Sequence, residues 1–292
     1  MSLADAGRVD AGTTHCVVTF SCPDGPGIVY AISGAIVALG GNITESQQYS
    51  SPDTGTFFMR VQIELAASLD HLKANLDVVA ERFGGNLTVD LVGRPVRALI
   101  LVSKAGHCLN ALLSHIRTGD LPLTVPLVLA NHPDLAGLAE FYGVPFEYRA
   151  ITPDTKAGFE DRIRQVMADL DIELVVLARY MQILGPDLAN DLAERAINIH
   201  HSFLPGFKGA NPYRQAHARG VKLIGATAHF VTPDLDEGPI IEQSVVRVDH
   251  SKSVDDLRGL GQDIEATTLT HAVKLYAQHR ILLDGIRTVV FA

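Results

Sequence analysis

Apolar and polar positions between residues 15 and 92 fall into six segments. A β-rich run over 16–22 ends in Pro23-Asp24-Gly25-Pro26-Gly27. Pro26 or Ile28 then opens a helix to Leu39, where Gly40-Gly41 stops it. Strands are predicted over 42–50 and 56–64, joined by the turn Ser51-Pro52-Asp53-Thr54-Gly55; a helix over 69–83 ends on Gly84-Gly85, and a strand over 86–92 follows. The order β-α-β-β-α-β predicts a ferredoxin-like split motif, two helices on one face of an antiparallel sheet.

Gly93-Arg94-Pro95 breaks that pattern. Apolar runs over 98–102, 125–130, 145–149, 174–178 and 197–200 then alternate with helical segments over 109–117, 135–142, 158–170 and 186–193. Alternation of this kind predicts an α/β fold, a mostly parallel Rossmann-like sheet with helices on both faces. Ligands in such sheets bind outside the carboxyl ends of the strands. Asn131-His132, Arg179-Tyr180-Met181, and Asn198 with His200 all fall at such ends. Strands over 225–231 and 240–247, a long helix over 254–276 and a strand over 288–291 complete the chain. The expected division is a disordered tail over 1–13, one domain over 14–93 and a second over 94–292.

Composition narrows the function. The 292 residues are 47% hydrophobic and 20% charged, the balance of a soluble globular protein of two domains. Lys plus Arg number 24 against 33 Asp plus Glu, a net charge of −9 with no basic cluster, so nucleic acid is not an expected partner. Cys16, Cys22 and Cys108 are too few and too irregularly spaced for a disulfide framework or zinc ribbon, which fits a reducing cytoplasm. Residues 1–13 lack the pattern of a signal peptide. The longest apolar stretch, 28–39, is interrupted by Ser33-Gly34 and is shorter than the roughly 20 residues a bilayer needs, so no membrane segment is expected.

The candidate chemistry concentrates in 197–243. On a strand over 196–200, Asn198 and His200 project from one face. An amide donor beside an imidazole makes an oxyanion clamp. Asp236, in a Pro/Asp/Gly turn between two strands, is read either as the base that takes a proton from water or as the group that sets the charge of His200. As a base it would need burial or a strained loop to lift it above the ordinary value near ~3.9. His201 orients water or fixes its loop, and His229 is either a site residue or a core histidine. Zinc is set aside: His200 and His201 are adjacent and cannot both face one ion from a strand, and no His-Glu-x-x-His occurs. Cys108 beside His107 is read as core or pocket lining rather than a nucleophile pair. The set points to acyl transfer on a one-carbon unit, with no metal and no cofactor.

In order and spacing, Asn198-Ile-His200, His201-Ser-Phe-Leu-Pro205, Gly225-Ala-Thr-Ala-His-Phe-Val231 and Leu235-Asp-Glu-Gly-Pro-Ile-Ile241 resemble the formyltransferase fold of folate enzymes. Together with Gly209-Ala-Asn-Pro-Tyr213, they are more similar to the formyltetrahydrofolate deformylase family than to glycinamide ribonucleotide formyltransferases. The first turn of the second domain, Val102-Ser-Lys-Ala-Gly-His-Cys108, lacks the glycine-rich loop of relatives that accept a phosphorylated amine. The resemblance implies hydrolysis of 10-formyltetrahydrofolate to tetrahydrofolate and formate, feeding purine synthesis, with transfer to an amine as the alternative. Asn198, His200 and Asp236 would be catalytic. Arg179, Tyr180, Met181, Gln182, Ile183 and Leu184 would line the folate pocket, with His229, Val231, Pro233 and Asp234 opposite. Lys208 and Tyr213 would lie on the loop where a transferase admits its amine, with Pro212 and Tyr213 narrowing that entrance. Residues 15–92 resemble an ACT domain, which implies an amino-acid effector near Asp24, Gly25 and Gly27 and a homo-oligomer.

Overall fold

A computed structural model describes residues 13–204 and 212–292; residues 1–12 of the expected tail, and Lys208, lie outside the described residues. Two compact units form, Met1–Arg94 with Gln278–Gly285 and Val289–Ala292, and Pro95–Ala277 with Ile286–Thr288.

The first unit runs β1 (Thr14–Pro23), α1 (Ile28–Ala38), β2 (Asn42–Ser50), β3 (Thr56–Leu65), α2 (Leu69–Phe83) and β4 (Asn86–Leu91). Its sheet is antiparallel in the order β2-β3-β1-β4, the predicted split motif. Cys16, Val18, Phe20 and Cys22 alternate down one face of β1, onto which Ile28, Ile32 and Ile36 of α1 and Leu72, Leu76 and Ala80 of α2 pack, each set at i+4 spacing. Ser68 caps α2 by accepting from the His71 N–H, and Gly84 ends it in the left-handed region at φ 62°.

The second unit runs β5 (Val96–Val102), α3 (His107–Thr118), β6 (Leu123–Ala130), α4 (Ala136–Phe141), β7 (Phe146–Tyr148), α5 (Lys156–Asp169), β8 (Leu174–Leu177), α6 (Pro186–Asp191), β9 (Ala196–His200), α7 (Pro212–Arg219), β10 (Leu223–Phe230), β11 (Ile240–Arg247) and α8 (Val254–Ala277). Strand order is β11-β10-β9-β8-β5-β6-β7. The run from β9 to β7 is parallel, and β10 and β11 extend it antiparallel. The central strands are apolar throughout: residues 98–102 of β5 and all of β8 are buried, as strands covered on both faces must be.

Sequence and structure differ at the carboxyl end. Two short strands, β12 (Ile281–Asp284) and β13 (Arg287–Val290), replace the single strand expected over 288–291. Most of this segment groups with the first unit and not, as the 94–292 boundary implied, with the second. Buried polar groups explain the return. Arg60, only 2% exposed, donates from Nε and Nη2 to the Gln278 carbonyl at 3.2 and 3.1 Å and pairs with Glu45 at 3.1 Å. Asp284 accepts from Ser51 Oγ at 2.8 Å and Thr54 Oγ1 at 2.5 Å. Buried groups of this kind must be paired, and apart from Glu45 their partners lie more than 200 residues away in sequence.

Candidate active site

Strand β9 presents Asn198 and His200 at its carboxyl end while Ile197 is fully buried behind them. The antiparallel register with β10 sets His229 opposite Asn198 and Thr227 opposite His200. Asn198 Nδ2 donates to His229 Nε2 at 3.3 Å. His229 Nδ1 lies 2.8 Å from the Phe230 carbonyl, which can only accept, so Nδ1 carries the proton. His229 is thus buried and part of the site at once, and the two readings of it merge.

The loop after β10 delivers the carboxylate. β10 shifts register against β11 at Ala228/His229, a bulge of the kind that re-aims side chains beside active sites. The Phe230 N–H donates to the Pro239 carbonyl at 2.9 Å, and a Cβ at Gly238 would sit 1.8 Å from the Phe230 oxygen, so only glycine allows this close return. Asp236 is held at φ 58°, a left-handed conformation that costs a non-glycine residue energy and recurs at functional sites. Its Oδ2 lies 3.2 Å from His200 Nδ1 and its Oδ1 3.7 Å from His229 Nε2. His200 Nε2 is buried and meets no hydrogen-bond partner among the described residues, which leaves it as the atom available to a ligand.

The electrostatics correct one expectation. The loop is strained as anticipated, yet Asp236 is not made more basic: the hydrogen bond from His200, and then the His229 ring 3.7 Å from its other oxygen, hold its carboxyl well below the usual carboxylate range. A carboxylate so stabilised is a poor proton acceptor and a strong partner for a cationic ring. His201 stacks on His200 with ring centroids 4.9 Å apart. Burial, and then the charges of Arg179 and His200, push it down to about 4. Asp236 and His201 both favour their unprotonated forms when folded, so below pH ~6.5 the unfolded chain binds more protons. Stability is therefore expected to fall from pH ~6.5 towards 4 as His201, and with it the partly buried His279, resists protonation, and further below ~4 as Asp236 is forced to take a proton. Urea midpoints at pH 7, 5.5 and 4 would read it; a flat series would contradict these shifts.

Around these groups lies a cavity of about 240 Å³, lined by Asn198, His200, His201, His229 and Asp236. One wall is Arg179 to Leu184, the other Val231, Thr232, Pro233 and Leu235. Met181 and Ile183 stay more than half exposed at its lip, while Tyr180 turns into the core and stacks on Phe159 at 5.9 Å. Ser103 Oγ accepts from the Met181 N–H at 2.9 Å and donates to Asn131 Oδ1 at 2.7 Å, so Asn131 supports the wall through Ser103.

Two sequence candidates fall elsewhere. Asp234 is exposed and does not line the cavity; its carbonyl accepts from Thr232 Oγ1 at 2.9 Å, a local turn bond. Tyr213 lies on α7, where no helix was expected, and its hydroxyl donates to Glu265 Oε1 at 2.5 Å rather than lining the cavity. In the first unit, Asp24, Gly25 and Gly27 are exposed; the Asp24 N–H donates to the Gly55 carbonyl at 2.8 Å, and Gly27, at φ 91°, precedes α1.

Glu265 is the residue sequence reasoning missed. It is 1% exposed on α8, and its carboxylate meets His107 Nε2 at 2.8 Å, Tyr213 and, at 3.3 Å, Arg179 Nε. The signal was an acid on the buried stripe of a long helix, four residues after Gly261 and eight after Leu257, where a charge persists only with partners. Donor atoms of His107, Cys108 and Glu265 lie within 4.8 Å of one another. They suit a cation poorly, because burial and the Glu265 charge push the Cys108 thiol far up and the Arg179 guanidinium already neutralises the acid.

Residues 96–273 match the formyl transferase family model and residues 14–90 that of the ACT domain. A formyltetrahydrofolate deformylase of Corynebacterium sp. strain P-1 is 45% identical over 94% of this chain and 97% of its own. The crystal structure of a formyltetrahydrofolate deformylase from Burkholderia mallei superposes with a TM-score of 0.92 at 47% identity, covering 96% of this chain and all of that one. A glycinamide ribonucleotide transformylase from Symbiobacterium toebii matches at a TM-score of 0.64 and 33% identity, over 69% of this chain and 97% of its own.

Proposed function

Because this chain belongs to the formyltetrahydrofolate deformylase family, we propose that its cavity takes 10-formyltetrahydrofolate and water to tetrahydrofolate and formate. It is a hydrolase acting on a C–N bond, not a transformylase of ribonucleotide amines. The observation that carries the residue roles is the His200 ring, clamped at Nδ1 by Asp236 and unpartnered at Nε2 in the cavity that Asn198 also lines.

Water attacks the planar formyl carbon and loses a proton to His200 Nε2, forming a C–O bond and a tetrahedral centre with charge on oxygen. An amide hydrogen of Asn198 stabilises that oxygen. Asp236, accepting from Nδ1–H, stabilises the imidazolium, and its low proton affinity suits that role better than taking the proton itself. The C–N bond then breaks as His200 returns the proton to the leaving nitrogen, releasing formic acid, whose remaining hydroxyl proton passes to solvent to leave formate. Every proton in this sequence moves between substrate, water and one side chain, so the reading calls on no cofactor. The wall from Tyr180 to Leu184, apolar but for Gln182, with Val231 and Pro233 opposite, receives the pterin, and Arg179 flanks it.

Replacing Asn198 by Ala should lower kcat by about 10²–10³ with a smaller change in KM, since an oxyanion donor acts mainly in the transition state. Steady-state formate release measures it, and a fall confined to KM would reassign Asn198 to substrate binding. The overall reaction is tested by following formate from purified chain and 10-formyltetrahydrofolate with and without glycinamide ribonucleotide. Release independent of the amine is expected, and acceptor-dependent turnover would replace hydrolysis by transfer.

The same reading places the enzyme in the cytoplasm as a homo-oligomer, its formate supplying purine synthesis and its ACT domain taking an amino-acid effector at Asp24 to Gly27. The ACT domain match and the absence of a helix long and apolar enough to cross a membrane among the described residues support it.

A further inference from the structure

Three segments converge on one buried carboxylate of a fourth, which the reaction above does not use. His107 opens α3, Arg179 follows β8, Tyr213 lies on α7 and Glu265 on α8, where Gly261 makes room: a Cβ there would meet the Tyr213 hydroxyl oxygen at 2.0 Å. Burial alone would raise Glu265, but the bond from His107, the charge of Arg179 and the bond from Tyr213 outweigh it and keep the carboxyl below its ordinary range. A buried charge is costly unless held this way.

What this arrangement fixes is Arg179. Its backbone is left-handed at φ 61°, its buried Nε lies 3.3 Å from Glu265 Oε2 as an ion pair without hydrogen-bond geometry, and it lines the same cavity as Asn198, His200 and Asp236. Its side chain is 16% exposed, and no acceptor among the described residues meets its two terminal amino groups. A guanidinium held against Glu265 by charge, with hydrogen-bonding capacity left over, is shaped to receive a carboxylate in a two-point contact.

We propose that Arg179, oriented by the buried Glu265, is the receptor for the formate that the reaction releases, with Glu265 a positioning residue rather than a catalytic one. The inference rests on the hydrolytic reading for the identity of the anion. Formate is the only product small enough to leave the carbon's position while still facing a charged wall, and its charge is fully developed only after the C–N bond has broken. A fixed guanidinium on that wall draws the carboxylate off His200 and makes formate an inhibitor at high concentration.

The experiment titrates ¹³C-formate against the full chain by NMR line broadening, with chloride at equal ionic strength as the control, and measures turnover of 10-formyltetrahydrofolate separately. Expected are saturable formate binding to the intact chain, and affinity lower by about 10-fold or more in both Arg179→Gln and Glu265→Gln, the scale of a lost charge-assisted pair. The double variant should bind no more weakly than Arg179→Gln alone, because Glu265 acts through Arg179. A structural role for Glu265 would lower the unfolding midpoint without weakening formate binding in the folded fraction. Should Arg179→Gln fail to fold by circular dichroism, Arg179→Lys, which keeps the charge and loses the fork, should still bind formate more weakly. Formate binding that is absent, or equal in all folded variants, overturns the proposal. Absent turnover with formate binding retained would count against the hydrolytic reading and leave an anion site at Arg179.

Discussion

Replacing His200 by Asn should lower kcat for formate release by about 10³-fold or more while leaving KM within a few-fold. General acid–base catalysis by a positioned side chain is worth about 10²–10⁴, and here one ring is asked to take the proton of water and to return it to the departing nitrogen. The geometry makes substitution of its role by a neighbour difficult. His201 is stacked against it but is pushed down to about 4, so it is a weaker base near neutrality. His229 has Nδ1 committed to the Phe230 carbonyl and Nε2 to Asn198. Asn at position 200 keeps a polar group that can bond Asp236, so the fold should survive, and circular dichroism with a urea midpoint would establish that before kinetics are compared. Activity within about fivefold of the parent would remove His200 from the proton path and return that role to Asp236.

Much of this arrangement could be read from the chain because it depends on local order. A period of two put Asn198 and His200 on one face of a strand, and a Pro/Asp/Gly turn put Asp236 between two others. The six segments of the first unit were legible because each ends in a glycine pair, a cap or a turn. What escaped has a common physical cause. The helix α7, Pro-Tyr-Arg-Gln-Ala-His-Ala-Arg, has only Ala216 buried among its described side chains and so shows little apolar stripe. The antiparallel turn of β10 against β9 is a choice of chain direction, which side-chain alternation does not encode. The return of 278–285 to the first unit and the gathering of Arg179, His107 and Tyr213 on Glu265 are pairings of buried charges across long separations. A sequence shows that such charges need partners, but not which ones. The basicity of Asp236 was misjudged for the same reason: the strain was inferable from the turn, whereas the two imidazoles that decide its charge arrive from other strands.

Asp236→Asn should cost about 10³–10⁴ in kcat, close to the loss at His200, because the two groups act as one unit and their effects should not add in the double variant. Asparagine is the informative replacement here. It tolerates the left-handed backbone that Asp236 occupies at φ 58°, whereas Ala would add about 1–2 kcal/mol of conformational cost and confuse charge with strain. The amide can still face His200 Nδ1 and Asn198 is untouched, so substrate binding should persist and KM change little. What disappears is the negative charge that stabilises the imidazolium as it forms. A second readout separates charge from shape. Asp236 is held below its ordinary range, so its contribution to stability is present above pH ~4 and is lost as pH falls through the folded value. The parent's stability advantage over Asp236→Asn should therefore narrow as the pH drops below ~4. An Asp236→Asn chain that turns over at the parental rate, with an unchanged acid limb of stability, would mean that the carboxylate does not stabilise the imidazolium as it forms, and the pairing at 3.2 Å would have to be read as packing alone.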